Sequence, residues 1–211
     1  MRKTKVEALK TREHLMLAAL DTFHKKGVAR TSLNEIAQNA GVTRGALYWH
    51  FKNKEDLFEA LFQRICNDID SCMAEDLSNE ADNVWESFRM SLMKLFLRVE
   101  SNSLHNKFYN ILYRKCEHTE QNEAIISIMS KYQTLWNEKL HDILNDCIAQ
   151  HSLDPALDID AASVYIKANI TGLQYQWLNA PYSFELNQMA ARIIPMMLDN
   201  LKNSPMLRKV P

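Results

Sequence analysis

The chain of 211 residues has only four glycines and five prolines, and no proline precedes Pro155. Nothing in the first 154 residues therefore breaks a helix through a missing backbone donor. No run of about 18 apolar residues occurs, which argues against a membrane span. The basic start MRKTKVEALKTR is not followed by the apolar segment of a secretory signal. Four cysteines, Cys66, Cys72, Cys116 and Cys147, are too few and too scattered for a disulfide framework, so reduced thiols in a cytoplasmic protein are expected. Cys66 and Cys72 lie six apart on one expected helix, separated by about 9 Å of rise, too far for an undistorted disulfide. The chain also lacks a Gly-rich phosphate loop, an HExxH, a GxSxG and a CxxC. Cys116 and His118, at i and i+2, cannot share a helix face as nucleophile and base or as metal ligands. No enzyme, metal or cofactor is expected.

Hydrophobic residues make up 46% and charged residues 24%, enough to bury a core. Apolar residues recur near every 3.6 positions and strand-like alternation is scarce, so the fold class is all-α. The net charge of −1 hides an asymmetry. Residues 1–58 hold eleven Lys and Arg against six Asp and Glu; the other 153 hold fourteen against twenty. A head of +5 on a body of −6 fits a head that meets a polyanion and a body that does not.

Three of the four glycines fall within residues 27–45 and cut the head into short pieces. A first helix is expected over Val6–Lys26, ended by Gly27. Ser32 with Glu35 three positions on reads as a capping box. Leu33, Ile36 and Ala37 then face inward and Gly41 makes a turn. Thr43 caps a short third helix, Arg44 to His50, and Asn53 caps a fourth that runs from Lys54 to about Ser78. Body helices are expected at Asp82–Glu100, His105–Lys115, Glu120–Gln150, Asp158–Asn179 and Phe184–Asn203. Thr119 is a cap between two of them, Pro155, Pro181 and Pro205 mark breaks, and Pro195 kinks the last helix.

A capped helix, a glycine turn and a second short helix is helix-turn-helix geometry. Leu47 and Phe51, four apart, should pack on Leu33, Ile36 and Phe23. Arg44 with Tyr48, and Gly45 with Trp49, lie on outward stripes. Arg44 suits a guanine edge or a phosphate. Tyr48, Trp49 and His50 carry donors for phosphate oxygens, and Lys52 and Lys54 add charge. The start of the fourth helix adds a positive dipole end, and Thr31, Ser32 and Thr43 supply hydroxyls at two more helix starts. Gly45 costs about 1 kcal/mol of helix stability relative to alanine, and close approach of a DNA strand would compensate for it.

These residues carry a resemblance. TSLNEIAQNAGVTRGALYWHFKNKEDLF resembles the DNA-binding domain of the TetR family of bacterial repressors, most specifically in GVTRGALYWHFKNKEDL. The start RKTKVEALKTREHLMLAAL and the segment KCEHTEQN, Lys115 to Asn122, are similar to the subgroup that represses multidrug efflux pumps. The resemblance implies a three-helix DNA-binding domain at residues 1–53, joined by a linking helix to a larger ligand-binding and dimerisation domain at 54–211. It implies as partners double-stranded operator DNA, a second copy of the chain and hydrophobic or amphipathic small molecules, with no membrane. Ligand binding would release the DNA.

The body is rich in aromatics and methionines at helical spacing. Met93, Phe96 and Leu97 lie on one expected helix, and Phe108, Tyr109, Ile111, Leu112 and Tyr113 on the next. Trp136 and Leu140 follow, then Ile166, Ile170, Leu173 and Trp177. Any core needs such stripes; a ligand site needs polar groups that interrupt them, for which Tyr109, Tyr113, Gln133, Asn169, Thr171, Gln174 and Gln176 are candidates. The resemblance implies a pocket here. It also implies an aspartate and an arginine where this chain has Thr171 and Gln176. Neutral or weakly charged bulky ligands are therefore expected, unless Glu117 or Glu138 reaches the site, since an unpaired buried carboxylate would favour cations. The last two helices are apolar around much of their circumference and form the expected dimer face, where Gly172 allows close approach. Two alternatives share the head: a ligand-independent DNA-binding protein, and a thiol switch using Cys116 or Cys147.

Overall fold

The computed structural model describes residues 5–78, 83–116, 122–180 and 183–209. Among them are nine α-helices and no strand, apart from one isolated bridge between Leu157 and Arg208. Glu117, His118, Thr119 and Pro181 lie outside the described residues. The helices are α1 (Lys5–Lys26), α2 (Leu33–Asn39), α3 (Arg44–His50), α4 (Lys54–Ser78), α5 (Val84–Ser101), α6 (Ser103–Asn110), α7 (Glu123–Ala149), α8 (Ile159–Asn179) and α9 (Leu186–Asn203). Asn83, Asp158 and Glu185 stand at the N-cap positions of α5, α8 and α9, which trims the expected starts by one or two residues. α9 continues through Pro195.

One difference is larger. The helix expected over His105–Lys115 ends as an α-helix at Asn110 and continues as a π-helical turn, Ile111–Lys115. Periodicity near 3.6 cannot register a single wide turn, which keeps the same residues helical.

The local reasons for the head are visible residue by residue. Gly27 has φ +88° and Gly41 φ +62°, the left-handed conformation that ends a helix without a Cβ penalty. The Ser32–Glu35 capping box forms, and Thr43 Oγ1 accepts the Ala46 amide at 3.2 Å. Each such cap is worth about 1 kcal/mol. Asn53 Oδ1 accepts the Asp56 amide at 2.8 Å and starts α4. Phe23, Ile36, Leu47 and Phe51 are buried as expected, whereas Leu33 is half-buried.

By its contacts the chain divides into two units, Met1–Asp68 with Leu104–Ser130, and Ile69–Ser103 with Lys131–Pro211. The first unit holds α1–α3, the start of α4 and most of α6. Asn39 Nδ2 donates to Thr22 Oγ1 and His14 Nε2 to the Ala40 carbonyl, tying α2 to α1. Two ion pairs and a hydrogen bond close a triangle of helices: Glu13–Arg64 between α1 and α4, the His105 Nε2–Asp68 hydrogen bond between α6 and α4, and Lys107–Asp21 between α6 and α1. The Val28 amide donates to the Lys115 carbonyl at 3.1 Å, so the π turn meets the end of α1. The second unit is built on α5 packed against α9, with α8 beside it. Buried Asp76 accepts from both Lys94 and Arg98 of α5, and the Glu100 carboxylate caps α9 through the Leu186 amide.

Candidate nucleic-acid interface and ligand-binding body

Leu47 is the one fully buried side chain of α3, and it fixes the helix on the head core. The opposite face then points outward. Tyr48 is 43% exposed and Trp49 73%, values that exclude both from the core. Arg44, Gly45 and Lys52 are exposed beside them. His50 is half-buried, its ring 4.5 Å from that of Trp49. Thr43 and Ser32 are exposed, both spent locally as caps. A Cβ built on Gly45 would meet no atom within 4 Å. No contact among the described residues therefore requires a glycine here.

Two residues assigned to this surface do something else. Thr31 is buried, and its hydroxyl donates to the Gly27 carbonyl at 2.7 Å. Lys54 is half-buried, with Nζ donating to the Val28 carbonyl at 3.0 Å and the Ala29 carbonyl at 3.4 Å. It clamps the loop after α1. At the α4 start, Asp56 accepts the Lys52 amide and Asn53 accepts the Asp56 amide, so these two N–H groups are already engaged. The structure brings together Arg44, Gly45, Tyr48 and Trp49 along one side of α3, with Lys52 just past its end. Sequence reasoning missed the guanidinium of Arg12, which lies 5.0 Å from the Phe51 ring centroid and braces the end of α3 from α1.

Charges around the head are shifted by identifiable neighbours. Hydrogen bonds from Lys26 and from the Ser32 amide and hydroxyl hold the Glu35 carboxyl down at about 2. Burial, then the cations Lys107, Lys115 and Arg114, push His24 below the usual imidazole range against a weaker pull from Asp21.

The candidate ligand residues are distributed over both units. Tyr109 and Tyr113 belong to the first, their rings stacked at 6.0 Å. Met93, Phe96, Leu97, Gln133, Trp136, Leu140, Ile170, Thr171, Gln174, Gln176 and Trp177 belong to the second. Phe96, Gln174 and Trp177 are buried, while Met93, Trp136, Leu140 and Ile170 are half-buried. Leu97, Gln133, Thr171 and Gln176 are exposed, as is Glu138. Thr171 and Gln176 are thus on the surface of this chain and do not set the charge of its interior. Buried polar atoms do occur inside the second unit: Ser91 Oγ, Ser163 Oγ and Arg98 Nη1 have no hydrogen-bond partner among the described residues. In the first unit a gap of about 10 Å³ lies among Leu20, Phe58, Phe62 and Phe108, room for a water-sized sphere and not for a drug-sized molecule.

On α8, Val164, Ala168, Thr171 and Tyr175 form one exposed stripe at spacings of four, three and four. Val164 is 63% exposed, Tyr175 50%, and Met196 on α9 67%. None of the cysteines forms a disulfide among the described residues, and Cys66, Cys116 and Cys147 are buried. Burial pushes the Cys147 thiol up to about 11, which disfavours the reactive thiolate.

Two family models match. Residues 15–61 match the bacterial regulatory proteins of the tetR family, and residues 83–203 match the C-terminal region of MAATS-type transcriptional repressors. The chain is 31% identical over 207 residues to the HTH-type transcriptional regulator AcrR of Shigella flexneri, covering 98% of this chain and 96% of that one. It is 33% identical over 216 residues to the HTH-type transcriptional regulator TtgR of Pseudomonas putida, covering 99% and 100%. Among solved structures it resembles NalD, the secondary repressor of the MexAB-OprM multidrug efflux pump in Pseudomonas aeruginosa. That likeness has a TM-score of 0.79 at 28% identity and covers 94% of this chain and 99% of that one. It also shares the fold of SmeT in its complex with triclosan, with a TM-score of 0.83 at 23% identity over 96% and 95% of the two chains.

Proposed function

The chain belongs to the TetR family of bacterial regulatory proteins, and from that premise we propose that it is a homodimeric repressor of a multidrug efflux operon, released from its operator by hydrophobic or amphipathic small molecules. The observation that carries the reading is the outward face of α3. A capped two-helix motif presents Arg44, Tyr48 and Trp49 away from a closed core, beside a glycine that no contact among the described residues requires. Arg44 reads base edges; Tyr48, Trp49, His50 and Lys52, with the Thr43 hydroxyl, which accepts as a cap and keeps its O–H to donate, hold the backbone, while Ser32, its hydroxyl engaged with Glu35, fixes the start of α2. Thr31 and Lys54 act one step behind, keeping the loop between α1 and α2 in place. The role is regulatory rather than catalytic and belongs in the cytoplasm, where operator DNA lies.

Dimerisation uses the exposed stripes of α8 and α9. A single head recognises too few base pairs; two heads about 34–36 Å apart meet successive major grooves. Residues 1–53 serve as the DNA-binding domain and 54–211 as the ligand-binding and dimerisation domain, with α4 the helix that follows the head directly in the chain. The unpartnered polar atoms of Ser91, Ser163 and Arg98 support an interior that a ligand with one or two acceptors could satisfy. A ligand that favours another tilt of α4 would alter head spacing and so lower DNA affinity. The relatives named as efflux regulators supply the target class. Buried thiols favour this reading over a cysteine switch.

The test is fluorescence anisotropy of the purified protein on the DNA upstream of its own gene, with and without a panel of bulky hydrophobic compounds. Sequence-selective binding that at least one compound reverses is expected. Selective binding that no compound alters would remove the ligand half of the proposal, and loss of response in cysteine-to-serine variants would move control to the thiols.

A further inference from the structure

We infer that Tyr48 is a positioning residue for Arg44, so that it sets base selectivity through the arginine rather than acting only as a phosphate donor. This rests on the DNA-binding reading above. Arg44 opens α3 and Tyr48 stands one turn further on, both exposed. Arg44 Nη2 donates to Tyr48 Oη at 3.3 Å, and the guanidinium carbon lies 5.2 Å from the Tyr48 ring centroid. The plane of the ring and the hydroxyl therefore hold the same group at two points. No carboxylate among the described residues forms an ion pair with Arg44, so its remaining N–H donors stay available.

The physical consequence concerns entropy and direction. A free arginine side chain samples many rotamers, and ordering it on a base edge costs about 2 kcal/mol. Recognition of guanine needs a planar fork presented at fixed orientation to O6 and N7. An arginine already laid along the helix on an aromatic face loses less freedom on binding and presents that fork in a narrower range of directions. Tyr48 in turn accepts from Arg44 and keeps its own O–H to donate. A tyrosine that acted on phosphate alone would strengthen binding to every duplex equally, since phosphates carry no sequence. A tyrosine that orders the reader strengthens binding chiefly to the duplex with the right base.

The experiment compares wild type, Tyr48→Phe, Tyr48→Ala, Arg44→Ala and the double variant Arg44→Ala/Tyr48→Ala. Each full-length protein is titrated by anisotropy on the selected upstream duplex, on single-base variants of it and on a scrambled duplex, at two salt concentrations. Thermal melts check folding, which the exposure of Tyr48 should leave intact. Tyr48→Ala is expected to lower the preference for the one or two base pairs that Arg44→Ala also releases, by about tenfold, with little change on the scrambled duplex. Tyr48→Phe keeps the ring and should retain part of that preference. Tyr48→Ala in the Arg44→Ala background should cost no further selectivity. Equal losses on all duplexes, additive with Arg44→Ala, would overturn the assignment and leave Tyr48 a phosphate donor. A wild type with no preference for any upstream duplex over the scrambled one would instead overturn the DNA-binding reading beneath it.

Discussion

Gly45 offers a test in which stability and function move in opposite directions. It is the second residue of α3, and the cost of glycine relative to alanine in a helix interior, about 0.8–1.0 kcal/mol, is an upper bound for this first-turn position. A Cβ there meets nothing within 4 Å, and the residue is not among those with positive φ. Neither clash nor strain offsets the gain, so Gly45→Ala should stabilise the free protein by up to about 1 kcal/mol. For a chain of this size that raises Tm by about 2–4 °C. If the open space is where a DNA strand approaches, the same methyl group must cost affinity, and roughly tenfold weaker operator binding is expected, or about 1.4 kcal/mol. Differential scanning fluorimetry and anisotropy on one preparation measure both. A raised Tm with unchanged operator affinity would refute the close-approach argument. A lowered Tm would show that a contact inside the folded chain needs this glycine.

Three further outcomes follow from the structure. Ser32→Ala removes one partner of the capping box and should cost about 1 kcal/mol of stability by denaturant titration, with Ser32→Gly costing only a few tenths. His24 titrates lower in the folded head than in the unfolded chain because of burial and then Lys107, Lys115 and Arg114. The unfolded chain therefore binds more protons as pH falls past its value of about 6.5. The stability conferred by the neutral imidazole is complete above that pH and lost as pH falls toward the folded value, and His24→Gln should flatten this part of a stability-versus-pH profile. Finally, a charge on the α8–α9 face should separate protomers. Met196→Glu, at a side chain 67% exposed, is expected to leave circular dichroism unchanged, shift light scattering to the monomer mass and weaken operator binding by far more than tenfold. A dimeric Met196→Glu with normal affinity would move the interface elsewhere.

How much of this was legible in the sequence depends on range. Caps, turns and helix phase are encoded within four residues, and Ser32–Glu35, Thr43–Ala46 and Gly27 behave as those local patterns require. The outward face of α3 was readable for the same reason: once Leu47 is placed inward, the helical repeat places Arg44, Tyr48 and Trp49. Long-range polar pairs have no such signature. His105 reads only as the start of a helix, yet it is buried and bonded to Asp68, 37 positions away. Lys54 reads as one more basic residue near DNA, and nothing local tells that its amine will reach the carbonyls of Val28 and Ala29. Thr31 was misplaced because a hydroxyl before a helix start reads the same whether it faces solvent or folds back on Gly27. In the body, apolar stripes marked Phe96 and Trp177 as interior, but they could not tell that Thr171 and Gln176 face outward.

A ligand-released repressor couples a small molecule to its operator through one protein. Linkage makes that coupling reciprocal for binding: whatever factor a ligand takes from operator affinity, the operator must take from ligand affinity. The most direct measurement is therefore calorimetric titration of one releasing compound into the protein alone and into the protein saturated with operator duplex. Weaker ligand binding is expected in the presence of operator, by the same factor that the ligand weakens operator binding in anisotropy. Equal ligand affinity in the two titrations would contradict it.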